Sequence, residues 1–144
     1  MKKNKASGFK LDSFTVVNFN IERKPIKQTK GEIDIEPSGV IDRKSKNFSL
    51  ILNVKVKDKN DSFNLSLTSI GSFLFRDDMT SKELSNYFLT NAPAIIFPYV
   101  RAYISSVTAL SGLAAVNLPV MNLSNLRDEL SKNIKELDYE ADVI

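Results

Sequence analysis

The chain has 144 residues, 42% of them hydrophobic, and a formal charge of +3. That length buries most of a core without covalent staples, so a single domain is the expectation. With no Cys and no His, disulfides, zinc sites, thiolate nucleophiles and imidazole bases are excluded, and with them the usual triads and redox centres.

The charge is unevenly placed. Residues 1–30 hold eight Lys or Arg against two acids, Asp12 and Glu22, whereas the remainder is net acidic. Residues 1–8, with Lys2, Lys3 and Lys5, read as a basic flexible arm. Such an arm could meet nucleic acid or another anionic partner. A phosphate-reading surface would want Arg and aromatics among the lysines, so a solvated arm is the favoured reading and nucleic acid is not an expected partner. No apolar run approaches the roughly 18 residues of a membrane span, and no apolar stretch follows the basic start. The expectation is a cytoplasmic protein without membrane insertion.

From Phe9 the pattern is strand-like. Phe9 and Leu11 alternate with polar residues, Phe14 and Val16 change phase, and Val17, Phe19 and Ile21 resume the first phase. Two phase changes predict a bulge in one long strand. Pro25 ends it, and the lysine-rich piece to Lys30 is a loop. Ile33 and Ile35 make a short alternating run, an edge strand closed by Pro37, Ser38 and Gly39, which carry a turn signal. A clear hairpin follows. Phe48, Leu50, Leu52, Val54 and Val56 alternate with polar residues, Asp58 to Asp61 turn, and Phe63, Leu65 and Leu67 alternate again. The phase is expected to slip around Ile70 and Gly71, leaving Phe73, Leu74 and Phe75 apolar on both sides.

Asp77 and Asp78 fit a turn and the start of a helix better than a cation or acid-base site, because acids are favoured at helix starts. Thr80 and Glu83 form a capping box for a short helix carrying Leu84, Tyr87 and Phe88, after which the chain is expected to turn into Pro93. A helix of roughly five turns then presents Ile96, Val100, Tyr103, Val107 and Leu110 on one face. Pro98 removes a donor inside it and predicts a kink that lets Phe97 and Tyr99 leave the buried side. The connection from Gly112 to Met121 holds too many apolar residues for a solvated loop. Leu123, Leu126, Leu130, Ile134 and Leu137 predict an amphipathic helix capped by Asn122. Residues 138–144 are an acidic tail, so the domain itself spans 9–137.

Five Gly, none in a phosphate-binding loop, and the absence of repeats leave a binding or assembly role rather than an enzyme or a cofactor protein. The raw material for binding is the surplus of apolar residues Phe73, Phe75, Phe97, Tyr99, Leu113, Val116 and Leu118, for each of which core or subunit interface is the plainer reading.

The segment APAIIFPYVR, followed by AVNLPVMNLSNL, resembles the SecB family of bacterial export chaperones. The matching residues are Pro93, Ile95, Ile96, Phe97, Pro98, Tyr99 and Arg101, then Ile104, Ser106, Asn117, Leu118, Asn122 and Leu126, and the likeness extends over roughly residues 9–130. It implies an α+β fold, a four-stranded antiparallel sheet with helices packed on one face, assembled as a dimer of dimers. It implies holding of unfolded client polypeptides in apolar grooves without nucleotide, walled here by residues such as Phe75, Phe97, Leu113 and Val116. A SecA-type motor engages acidic residues on the outer sheet face in that family. The corresponding positions are Asn18, Glu22, Asn64 and Ser66, of which Glu22 alone is acidic, and the nearby Arg23, Lys24 and Lys27 would cancel an acidic field, so weakened motor docking is expected. A narrower alternative is a SecB-like chaperone dedicated to one client, such as an antitoxin. A different class, a small binder of nucleic acid or an anionic partner, would be separated by its steep salt dependence.

Overall fold

The computed structural model describes residues 8–26 and 31–137. The basic arm, apart from Gly8, and the acidic tail lie outside the described residues. Four long strands form the body: β1 (Phe9–Arg23), β2 (Gly31–Asp42), β3 (Asn47–Asp58) and β4 (Phe63–Phe75). A short β5 (Ile134–Glu136) completes a sheet in the order β1-β4-β3-β2-β5. The first four strands pair antiparallel, and β5 runs parallel to β2. The sheet therefore has five strands, where four were expected.

Alternation explains the layering. Inward residues of β3, from Phe48 to Val56, and of β4, from Phe63 to Phe75, are buried, while their neighbours are polar or half-buried. β4 keeps its phase to the end, contrary to the slip expected at Gly71. Gly71 is inward because helix α2 (Ala92–Ala109) sits on it: a Cβ there would lie 2.4 Å from Ile96 Cδ1. On β1 the two phase changes are two register shifts against β4, between Leu11 and Ser13 and between Val16 and Asn18. Each extra residue lets the strand keep an apolar inward face, and Val17 is left exposed at the second shift.

β2 continues through Pro37, Ser38 and Gly39 instead of ending there. The Gly39 amide donates to the Asn133 carbonyl and the Leu137 amide to the Ile41 carbonyl, so the odd residues of β2 aim their backbone groups away from β3. Pro37 shares that orientation. Its missing N–H falls on the outer edge, where β3 needs no donor.

Helices cover one face of the sheet. Thr80 and Glu83 form the expected capping box at the start of α1 (Ser81–Asn86). The predicted break before Pro93 is absent, because a π-helical turn over Tyr87–Asn91 carries α1 directly into α2. Pro93 has no N–H for the Leu89 carbonyl and its ring would crowd that carbonyl in a regular helix; the wider turn avoids the conflict, with the Ala92 amide donating to the Tyr87 carbonyl instead. Pro98 lies on the exposed side of α2, one turn beyond exposed Ala94, so its missing bond faces water. The buried stripe of α2 runs through Ile96, Val100, Ile104 and Thr108, with Phe97 beside it. Aromatic rings join the layers: Phe88 stacks on Phe48 at 4.2 Å and Tyr87 on Phe9 at 5.0 Å. The last predicted helix is shorter than its periodicity suggested. Asn122 caps a single 3-10 turn, α3 (Leu126–Lys132) follows, and Ile134 enters β5.

Candidate functional site

Thr108 is a polar residue buried at the end of α2 because both sides of its hydroxyl are used. The Oγ1 donates to the Ile104 carbonyl at 2.6 Å and accepts from the Val116 amide at 2.8 Å. Gly112 then takes φ +83°, a left-handed conformation that glycine adopts without penalty, and the chain turns back along the helix. Ser105 Oγ meets Asn117 Oδ1 at 2.7 Å. Val116 and Leu118 are thereby drawn into the core.

The same connection leaves apolar side chains in water. Leu110 is 86% exposed, Val120 89% and Leu113 39%. Leu110 was expected on the buried helix face, but the four-residue step of the stripe ends at Thr108 and Leu110 lies past the helix end. At its far end the connection faces the π turn and the first turn of α2 across a cleft of about 350 Å³, lined by Leu89, Ala94, Met121 and Leu123. The Arg127 guanidinium, at the rim, donates to Thr90 Oγ1.

Of the seven apolar residues singled out from the sequence, Phe73, Phe75, Phe97, Val116 and Leu118 are buried in this chain, and Tyr99 and Leu113 are exposed. The expected escape at Pro98 applies to Tyr99, which is 48% exposed and packs against Phe14 on β1. Phe97 stays inside, with the Arg101 guanidinium 5.3 Å from its ring centre. Sequence reasoning did not single out Leu110 and Val120 as binding residues. For Val120 its place beside Pro119 in an irregular segment was an available signal, whereas Leu110 continues the sequence periodicity and only the end of α2 at Ala109 puts it in water.

The outer face of the sheet is a separate surface. Glu22 pairs with Asn64, Asn20 with Ser66 and Asn18 with Thr68, so Asn18, Glu22, Asn64 and Ser66 do share one face within a few rungs. Of the cations expected beside them, Arg23 alone is shown elsewhere. Arg23 points to the opposite, core side, and exposed Lys24 lies 4.0 Å from Asp61. Lys27 is outside the described residues. Lys55 and Lys57 of β3 stand opposite Ser66 and Asn64, with Asp34 and Glu32 of β2 beyond them. Among the described residues no group of three or more His, Cys, Asp or Glu is placed to hold a metal, and no helix is long and apolar enough to cross a membrane.

A sheet with one long helix across it, and an irregular connection that leaves apolar side chains in water, is an α+β arrangement that offers a surface for apolar contact. The chain belongs to the SecB family, whose pattern, preprotein translocase subunit SecB, matches residues 14–133. The protein-export protein SecB of Dinoroseobacter shibae is 29% identical over 123 residues, covering 78% of this chain and 71% of that one. SecB of Anaplasma phagocytophilum is 29% identical over 89 residues, 59% of this chain and 56% of that one. Among solved structures, the SecB-like chaperone of Mycobacterium tuberculosis in complex with a ChAD peptide from an antitoxin shares the fold, with a TM-score of 0.66 at 15% identity over 79% of this chain and 88% of that chain.

Proposed function

We propose that this chain holds unfolded polypeptides, without nucleotide, on the apolar surface of the α2 to α3 connection. Leu110, Leu113 and Val120 are the contacting side chains, with Tyr99 and the cleft between Leu89 and Leu123 extending the surface. Phe97, Val116 and Leu118 are the buried floor of that surface, and Phe73 and Phe75 are buried among Phe9, Phe48 and Phe88. The observation that carries this reading is the exposure of three large apolar side chains on a segment anchored on both sides of them, in a SecB fold. Apolar contact is non-directional, so one surface accepts many sequences. The domain is residues 9–137, with a basic arm and an acidic tail outside it, and it acts in the cytoplasm.

Two copies join through sheet edges and two such pairs through α2, giving a tetramer. β1 has β4 on one side only, and Pro37 and β5 blunt the opposite edge of the sheet. Light scattering at micromolar concentration giving a monomer mass would exclude this assembly. The holding reading is tested by adding the purified protein, without ATP, to a chemically unfolded reporter enzyme. Suppressed aggregation is the expected result; aggregation at the rate of the reporter alone at several-fold chaperone excess overturns it.

A SecA-type motor docks weakly on this chaperone. Glu22 is the one acid of Asn18, Glu22, Asn64 and Ser66, and Lys55 and Lys57 stand on the neighbouring strand. That same observation favours a second reading, a chaperone dedicated to one client rather than to general export. The related Mycobacterium tuberculosis protein was solved with an antitoxin peptide, and an antitoxin is the kind of client this reading assigns.

A further inference from the structure

Arg23 is the last residue of β1 and faces the core side of the sheet, opposite Phe63. Its side chain reaches across to the connection after α2, where Nη1 donates to Ser111 Oγ at 3.0 Å and Nη2 donates to the Ala114 carbonyl. The Ser111 hydroxyl is thereby saturated. It donates to the Thr108 carbonyl at 2.6 Å, and it accepts from Arg23 and, at 3.4 Å, from the Leu113 amide. One donor and two lone pairs are all that a hydroxyl has. The guanidinium also lies just past the C-terminal end of α2, where positive charge is favoured by the helix dipole.

We infer that Arg23 is a positioning residue for client holding: a two-pronged strut by which the sheet fixes residues 111–114, and so sets where Leu110 and Leu113 stand. The inference rests on the reading that the connection is the client surface. Segment 113–122 has no helix or strand of its own. Its start is held by Thr108, Ser105 and Ser111, all from the end of α2 or just beyond it, so those bonds alone would let the segment move together with the helix end. Arg23 ties it to a different element. The fork geometry matters, because two acceptors 3 residues apart are met by one planar group, which the single ammonium of a lysine cannot reproduce. A surface held in place before a client arrives avoids the ordering penalty on binding.

The test compares Arg23→Ala, Arg23→Lys and Ser111→Ala in the full chain. Amide hydrogen exchange over residues 111–118 is expected to rise roughly tenfold in Arg23→Ala, the equivalent of about 1.4 kcal/mol for a charged hydrogen-bond pair, with amides of β3 and β4 unchanged. Arg23→Lys should resemble Arg23→Ala in this segment, since it keeps the charge and loses the fork. Binding of an unfolded, fluorescently labelled reporter should weaken severalfold in both, through faster release. Unchanged exchange over 111–118 in Arg23→Ala overturns the strut, as does full recovery in Arg23→Lys. Raised exchange with unaltered reporter binding overturns its role in holding. If Arg23→Ala fails to fold, Ser111→Ala, which removes one prong's acceptor, gives the same reading. Should the unaltered protein bind no reporter at all, the proposed function fails while the exchange experiment still judges the strut.

Discussion

Replacing Val120 by Asp and, separately, Phe97 by Asp distinguishes surface from floor. Val120 is 89% exposed, so only about a tenth of its side chain leaves water on folding. Full burial of such a side chain stabilises by about 1.5–3 kcal/mol, which puts the stability lost in Val120→Asp at roughly 0.2–0.3 kcal/mol. Phe97 is 2% exposed. Truncating a buried Phe costs about 3–5 kcal/mol before any charge is considered, and an unpaired carboxylate in that place adds several more. Against a total stability of about 5–15 kcal/mol, Phe97→Asp removes most of the fold and Val120→Asp removes almost none. The assays are thermal unfolding by circular dichroism and suppression of aggregation of an unfolded reporter. Val120→Asp, best combined with Leu113→Asp, should melt close to the unaltered protein and hold clients poorly, because a charge on the contact surface must be desolvated by every client. A folded double variant that holds clients at full strength would refute the assignment of the connection as client surface. A Phe97→Asp protein that folds normally would refute the division between floor and surface.

Three further outcomes follow from particular contacts. Gly71→Ala should lower the melting temperature by several degrees, since overpacking costs about 1–3 kcal/mol, and pairing it with Ile96→Val, which removes the Cδ1 methyl that the new Cβ meets, should restore part of the loss. Additive losses in the double variant would show that the two residues do not touch. Asp58 is buried in the β3 to β4 turn and accepts from the Ser62 amide at 2.7 Å and from the Ser62 hydroxyl; Asp58→Ala should destabilise by about 1–3 kcal/mol in urea unfolding, and a change under 0.5 kcal/mol would show the turn does not depend on it. Lys55→Glu with Lys57→Glu should tighten binding to a SecA-type motor from the same cell severalfold at low salt and less at moderate salt, because it makes the outer face acidic; no change at either salt would place motor contact elsewhere.

The long strands were legible in the chain because a sheet with one dry face writes its period of two into the residues. The bulged course of β1, the hairpin of β3 and β4 and the capping box at Thr80 all follow from such local rules, and so does the shared outer face of Asn18, Glu22, Asn64 and Ser66. The SecB likeness was legible in the two prolines, the aromatic pair and Arg101 of a single helix. What lay beyond reach depended on neighbours distant in the chain. Pro37 reads as a strand end until β3 and β5 decide which side of β2 its nitrogen faces, and Gly71 reads as a slip until Ile96 fills the space above it. The gap between α1 and α2 closes because a widened turn removes the clash that Pro93 would make, and a leucine-rich periodicity gives way to β5 because β2 offers an open edge. Whether an apolar residue is floor or surface is decided in the same way. Phe97 and Val120 are both apolar residues next to a proline, and only the packing of α2 on the sheet, with the connection pinned by Thr108 and Arg23, puts one in the core and the other in water.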